Sequence, residues 1–319
     1  MKKTFILLMI VAALGMMGCD RNPQTEQKQA SLAGCDMAIF ENGKVTLYNS
    51  STNTLTPLDA EKDYVINGVF LGDNEFYYTT AVDEELFLKK IDLSAIKPAP
   101  VMLADWDLKL SDCNVDSCGR CASMYAYSKV PMVGIEHGIG EMSCVFEDMR
   151  YYMLNGEKII EGWPEDVATG VADDQLLNDN NLFEQVNMET EGEGEPKSYY
   201  YYAPDDSGEH RVCLSDKIDF HAGKYEGWPY EPTFQLLGIS PDRKGVAYAA
   251  IMEFGRGGHG PLCFATLDGK VQALLANDAN FGWLNDSRLA YSCEEGIMAI
   301  SPDMTQEKIS SAQMFVTKY

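Results

Sequence analysis

Positive charge is scarce in this chain. Its 319 residues carry 25 Lys and Arg against 49 Asp and Glu, a formal net charge of −24. Phosphate contacts need clustered cations, so this balance excludes a nucleic-acid binder. It equally excludes docking on an anionic bilayer through basic residues. Histidine is as scarce, with four residues, and none of them falls in an HExxH or other close paired-ligand spacing. No Gly-x-Ser-x-Gly elbow, phosphate-cradling loop or dinucleotide fingerprint occurs, which removes the usual signatures of hydrolases, NTPases and oxidoreductases. The Asp-x-Asp-x-Asp-Gly calcium spacing is also absent. Beyond the first twenty residues no apolar run could span a membrane, and almost no helical period is sustained.

What the chain does have is ordinary material for a folded body. Hydrophobic residues make up 45% and aromatics 11%, which excludes bulk disorder. The length allows one large domain or two small ones.

The amino terminus points to export. Lys2 and Lys3 precede an apolar stretch from Phe5 to Leu14, followed by Gly15-Met16-Met17-Gly18-Cys19. That core is short for a permanent span and has the flanks of a signal peptide. With a small residue directly before Cys19, it resembles the lipobox of bacterial lipoproteins, although Met16 stands where Leu is usual. The resemblance implies cleavage after residue 18 and acylation of Cys19, and several acyl chains on one residue make a stable anchor. Residues 19–34 then read as a polar, Gln-rich tether, and 35–319 as the body. The mature chain is near −26, because two lysines leave with the signal. The implied location is the cell envelope, on the outer membrane and facing the periplasm or the surface. Asp20, at a position that resembles an inner-membrane retention signal in one sorting system, points the other way.

Short strands and turn residues fill the body. Leu71-Gly72-Asp73-Asn74-Glu75-Phe76-Tyr77-Tyr78-Thr79 matches 284–292 (LNDSRLAYS), and Ile239-Ser240-Pro241-Asp242-Arg243-Lys244-Gly245-Val246-Ala247-Tyr248 is a third copy. Each is an apolar strand end, a turn containing Asp, and a new strand with Tyr at a fixed offset. Asp73, Asp242 and Asp286 are placed to cap these turns by accepting backbone N–H groups. Asp242 and Asp286 lie 44 residues apart, and Asp73 and Asp286 lie 213 apart, about five periods of 43. Repeats of about 40–45 residues with four strands each are the signature of propeller blades. Residues 86–93, 262–268 and 296–300 read as third strands, and 101–103 and 271–275 as fourth strands.

On these residues the body resembles a TolB-like propeller, related to that of dipeptidyl-peptidase-IV-type enzymes. The likeness is clear over 230–305, fair over 67–105 and weak over 106–228. The expected fold is therefore an all-β propeller of four-stranded blades. Trp106, Trp163, Trp228 and Trp283 recur 57, 65 and 55 residues apart. Six blades follow if they mark blade edges, and seven if the 43-residue period runs unbroken. They read as fillers between blades. Residues 38–58 supply about three strands and 314–319 one more, so the two termini are expected to share a blade and close the ring.

Nine cysteines include Cys19. Of the rest, Cys113, Cys118 and Cys121 read Cys-x4-Cys-x2-Cys, with Cys144 further on. The spacing fits a disulfide set, and also resembles zinc or plant-type iron–sulfur ligation. Export favours disulfides or buried thiols, because clusters are rarely assembled there. Cys263 and Cys293 fall in predicted strands. His137, His210, His221 and His259 read as solvent-facing loop residues. Residues 255–260 (GRGGHG), with Arg256 and His259, read as a long hairpin on one propeller face and a candidate binding loop. Tyr199 to Tyr202, read as a strand, put tyrosines on both of its faces. Forty-nine carboxylates guarantee chance pairs, so no acid/base pair can be assigned.

The expected protein is a monomeric, non-enzymatic binding or scaffold module without a cofactor. Its partner would be an envelope protein, a peptide or a glycan. A propeller glycosidase or lyase with carboxylates in the central pocket is the alternative, and a metal or thiol-redox lipoprotein is a further one.

Overall fold

The structure is a computed structural model. It describes residues 31–109, 123–127, 132–139, 148–155, 158–161, 187–190, 196–202, 210–214, 217–219, 233–251, 261–277 and 279–318, with backbone alone between 123 and 211. Every regular element among them is a strand.

The first three strands, β1 (Met37–Glu41), β2 (Lys44–Asn49) and β3 (Thr54–Pro57), form one antiparallel sheet. The next comprises β4 (Tyr64–Leu71), β5 (Glu75–Val82), β6 (Glu85–Asp92) and β7 (Val101–Lys109). A third holds β8 (Ser123–Tyr127), β9 (Met132–Ile139), β10 (Asp148–Asn155) and β11 (Lys158–Glu161). Three strands make the fourth sheet: β12 (Asn187–Thr190), β13 (Pro196–Tyr202) and β14 (His210–Cys213). The fifth consists of β15 (Thr233–Ile239), β16 (Gly245–Ile251), β17 (Pro261–Thr266) and β18 (Gln272–Asn277). The sixth contains β19 (Phe281–Trp283), β20 (Leu289–Cys293), β21 (Gly296–Ile300) and β22 (Gln306–Ser310). The last strand, β23 (Met314–Thr317), returns to the first sheet and pairs with β1 from Met37↔Thr317 to Phe40↔Met314.

Strand neighbours show how the sheets are arranged. β23 lies beside both β19 and β4, and β4 lies beside β8. These are the first strands of successive sheets, so they form an inner ring and the sheets radiate from it as blades. That is a β-propeller, with the first sheet completed by the two ends of the body as expected. Among the described residues there are six sheets, five of them four-stranded.

Alternation explains the core. Successive strand residues point to opposite faces, and both faces of a blade are covered by neighbouring blades. On β5, Phe76 and Tyr78 pack toward the first sheet with Phe40, Leu47 and Phe70, while Tyr77 faces Leu86, Leu88 and Trp106. On β16, Val246, Tyr248 and Ala250 meet Val212 and Leu214, while Ala247 joins Trp283 and Leu289. On β1, Met37 and Ile39 pack on Ala290 and Ala299 of the sixth sheet, and Ala38 and Phe40 face the second. The cores therefore lie between the sheets, and strands buried on both faces read as near-continuous apolar runs.

Strand direction defines two rims. We call the rim where inner strands β23, β4, β15 and β19 begin the upper rim, and the one where they end the lower rim. Hairpins within a blade alternate between them. The turns at 240–245, 266–271, 284–288 and 301–305 all fall on the lower rim. The turns at 41–44, 82–85 and 293–296 fall on the upper rim, as does the 58–63 connection into β4.

Candidate functional site

Turn aspartates are the sequence candidates that the structure describes. In 240–245, Asp242 accepts from Lys244 N at 3.1 Å and from Ser240 Oγ at 2.7 Å, while Ser240 Oγ accepts from Gly245 N at 2.8 Å. Hydrogen bonds hold its carboxyl below the ordinary range although burial opposes them. Asp286 accepts from Arg288 N at 3.2 Å in the same way. Asp73 differs. It is exposed and pairs with Lys318 Nζ at 2.6 Å, tying the second sheet to the end of the chain. The repeat copies are thus structural, and Asp242 N donates to Ser287 Oγ at 2.9 Å to join two of them.

Lipidation candidate Cys19 lies outside the described residues, and so do Cys113, Cys118, Cys121, Cys144, Arg256 and His259. Among the described residues there is no disulfide, and Cys35, Cys263 and Cys293 are thiols. The disulfide expectation therefore finds no pair here. No group of His, Cys, Asp and Glu among the described residues could hold a metal ion. Histidines depart from the loop reading. His137 lies within β9 and His210 opens β14. Trp283 is buried between the fifth and sixth sheets, and Trp106 is buried on the second sheet, its Nε1 donating to Thr79 Oγ1 at 3.1 Å.

The structure adds a cluster with no local sequence signal. Glu61 and Asp63, in the connection from β3 to β4, converge on Lys89 of β6. Lys89 Nζ stands 3.0 Å from Glu61 Oε1 and 2.5 Å from Asp63 Oδ2, and Tyr78 donates to Glu61 Oε2 at 2.7 Å. Asp63 N also donates to Glu61, at 2.9 Å. Burial alone would raise the Glu61 carboxyl, but the Asp63 N–H, the Tyr78 hydroxyl and the Lys89 ammonium together hold it below its ordinary range. Two carboxylates on one ammonium, each already hydrogen-bonded, leave neither available as a base or nucleophile. This is a tie holding the connection against the second sheet.

One group at the upper rim faces outward. Tyr64, the first residue of β4, is 55% exposed at the mouth of the inner ring. Its ring lies directly over Gly43 in the β1–β2 hairpin, where a Cβ would collide with Cγ, Cδ2 and Cε2. Gly43 also has φ of 72° and accepts from Val65 N at 2.9 Å, so hairpin and strand are bonded together beneath the ring. Met314, which opens β23, is 52% exposed on the same rim. The result is a rigid aromatic face beside a flexible thioether, a surface suited to stacking. A glycine on the chain some twenty residues earlier was its only sequence trace.

No family model matches this chain, and neither does any curated protein. Solved structures do. TolB from Acinetobacter baumannii is 10% identical with a TM-score of 0.40, over 86% of this chain and 62% of TolB. AztD from Citrobacter koseri, in its apo form, is 8% identical with a TM-score of 0.32, over 88% and 94% of the two chains. A prolyl endopeptidase is 13% identical with a TM-score of 0.30, over 86% and 38%. At such identities likeness is a matter of fold alone, and nothing about substrate or partner is taken from it. The propeller rests on the sheet order and the inner ring. The all-β propeller of four-stranded blades that the repeats predicted is the fold observed.

Proposed function

We propose that this chain is a cell-envelope lipoprotein, acylated at Cys19, whose propeller is a non-catalytic binding module. Its partner is an envelope protein, a peptide or a glycan engaged at the upper rim. One observation carries the reading: Tyr64 is held face-outward on Gly43 at the mouth of the inner ring. Ordered aromatic rings on rigid supports bind flat apolar faces with little loss of side-chain freedom. The described carboxylates that converge, Glu61 and Asp63, are both tied to Lys89 in the connection into β4, which disfavours the glycosidase alternative. No helix among the described residues is long and apolar enough to cross a membrane.

The test is an array of peptidoglycan fragments and envelope-protein peptides probed with the full chain and with Tyr64→Ala. The expected outcome is retention of one probe class, unmodified, with several-fold weaker retention by Tyr64→Ala at an unchanged melting temperature. Equal retention by both proteins would overturn the site, and cleavage of a retained probe would overturn the non-catalytic reading.

A further inference from the structure

The two rims differ in charge. On the upper rim, Asp83 and Glu84 in the β5–β6 hairpin and Glu294 and Glu295 in the β20–β21 hairpin are exposed, and none makes an ion pair among the described residues. On the lower rim most turn aspartates are matched, Asp92 and Asp303 being exposed without an ion pair among the described residues. Lys244 stands 3.4 Å from Asp242, Lys270 2.7 Å from Asp268, Arg288 2.8 Å from Asp286 and Lys318 2.6 Å from Asp73. Among the described residues, exposed unpaired acid is thus more frequent at the upper end of the inner ring, and ion-paired acid at the lower.

Both rims expose apolar side chains, Tyr64 and Met314 on the upper and a second group on the lower. Ile96, in the lower-rim connection between β6 and β7, is 95% exposed, and Met102 near the start of β7 is 56% exposed. Val101 is 51% exposed as well, so three large apolar residues within seven positions are exposed here, and covering them together is favourable.

The point at which the chain joins the propeller identifies the cover. Asp36, just before β1, sits at the lower rim, where Lys318 N donates to its carbonyl at 2.9 Å. Leu32 is buried in the core between the first two sheets, and Asn49 Nδ2 donates to Ala33 O at 3.1 Å. The tether therefore departs from the lower rim. Fully extended, the thirteen residues 19–31 reach about 45 Å.

We propose that the lower rim rests on the lipid surface, with Ile96 and Met102 in the headgroup layer and the acidic upper rim turned away. This rests on the reading of Cys19 as the acylated residue. An anionic leaflet repels unpaired carboxylates within about a Debye length, and so repels the upper rim more strongly than the mostly paired lower rim. Apolar side chains at the contact add to the hold of the acyl chains. The same orientation presents Tyr64 and Met314 to a partner on the far side from the membrane.

Four exposed side chains serve as reporters, Ile96 and Met102 below, Tyr64 and Met314 above. The full lipidated protein is bound to vesicles of phosphatidylethanolamine and phosphatidylglycerol, floated, exposed to hydroxyl radicals, and its oxidised peptides are measured. The Cys19→Ala protein, free of vesicles, is the reference. The expected result is several-fold slower oxidation of Ile96 and Met102 on vesicles, with Tyr64 and Met314 unchanged. Protection of Tyr64 and Met314 instead, or equal oxidation at all four, would overturn the orientation and leave the anchor standing. Failure of the wild-type protein to float, or flotation of Cys19→Ala, would overturn the anchor and the orientation together.

Discussion

The buried carboxylate of Asp36 accepts the backbone N–H of Asn285 at 2.6 Å, joining positions 249 residues apart. The same carboxylate accepts from Ser50 N at 2.9 Å and Ser50 Oγ at 2.5 Å. Three donors thus satisfy one buried side chain, which makes no ion pair with Lys or Arg among the described residues. Through it the first sheet is locked to the lower-rim turn of the sixth, next to the seam where β23 pairs with β1. Asp36→Ala would leave those donors buried without an acceptor. Such groups cost about 1–3 kcal/mol each, so a loss of about 3 kcal/mol or more is expected. Urea unfolding reads it as a lower midpoint at unchanged slope.

Removing β23 tests the seam itself. Truncation after residue 311 takes the inner strand from the first blade and leaves β1 with an unpaired edge. It also removes Phe315, buried against the sixth sheet, and the carbonyl that accepts from Asn280 Nδ2. The expected outcome is a melting temperature lower by about 10 °C or more, with aggregation through the new edge. An unchanged melting curve would mean that the ring does not depend on this closure.

The Glu61–Lys89–Asp63 cluster makes stability depend on pH. Glu61 has its carboxyl held below the ordinary 4.5, so its contribution is complete above that value and is lost as pH falls through the lowered one. Lys89 is raised above 10.5: burial opposes this, and the carboxylates of Asp63 and Glu61 outweigh it, so its contribution disappears only as pH rises through the raised value. Between these limits the tie is intact. Lys89→Met leaves two adjacent carboxylates without their cation, which costs about 3–5 kcal/mol at neutral pH. Repulsion then favours protonation, so the variant regains part of the loss on acidification, opposite in sign to wild type. Melting temperatures of both proteins from pH 3.5 to 8 compare the slopes.

Local patterns in the sequence located the blades, and long-range contacts decided what their residues do. Residues 296–300 are β21 as read, and the strand read over 246–251 begins one residue earlier, because alternation and flanking turns are properties of neighbouring residues. Asp73 shows the limit. Its copy has the same apolar flanks as 284–292, yet the left-handed residue is Gly72, before the aspartate, whereas Arg243 and Ser287 follow theirs. That shift turns Asp73 away from its own turn toward Lys318, a partner no local pattern could supply. Asp36, Glu61 and Tyr64 were unmarked for the same reason, since each acquires its role from a residue in another sheet or hairpin.

Trp106 and Trp283 are both buried, with different polar surroundings. Trp106 donates to Thr79 Oγ1, whereas the buried Nε1 of Trp283 has no partner among the described residues. A phenylalanine keeps most of the apolar contact at either site. Trp106→Phe also loses a hydrogen bond worth about 1 kcal/mol, while Trp283→Phe removes an N–H that was already unsatisfied. Trp106→Phe is therefore expected to be the more destabilising by about 1–2 kcal/mol. Equal losses would show that volume alone sets the fit between blades.

Thiol chemistry separates the buried cysteines from any that react. Burial pushes the Cys35 thiol up to about 12, with the Asp36 carboxylate adding to the effect. Cys263 is driven up further by burial, at a position with no exposure. The thiolate is the nucleophile, so neither residue should be alkylated by iodoacetamide in the folded protein at pH 8, and both should react once it is unfolded. Peptide mapping before and after denaturation assigns the labels. Alkylation of Cys35 in native conditions would mean that the segment packed by Leu32 opens from the lower rim. Its protection would place the boundary between tether and propeller before Cys35, at the residue where the core begins.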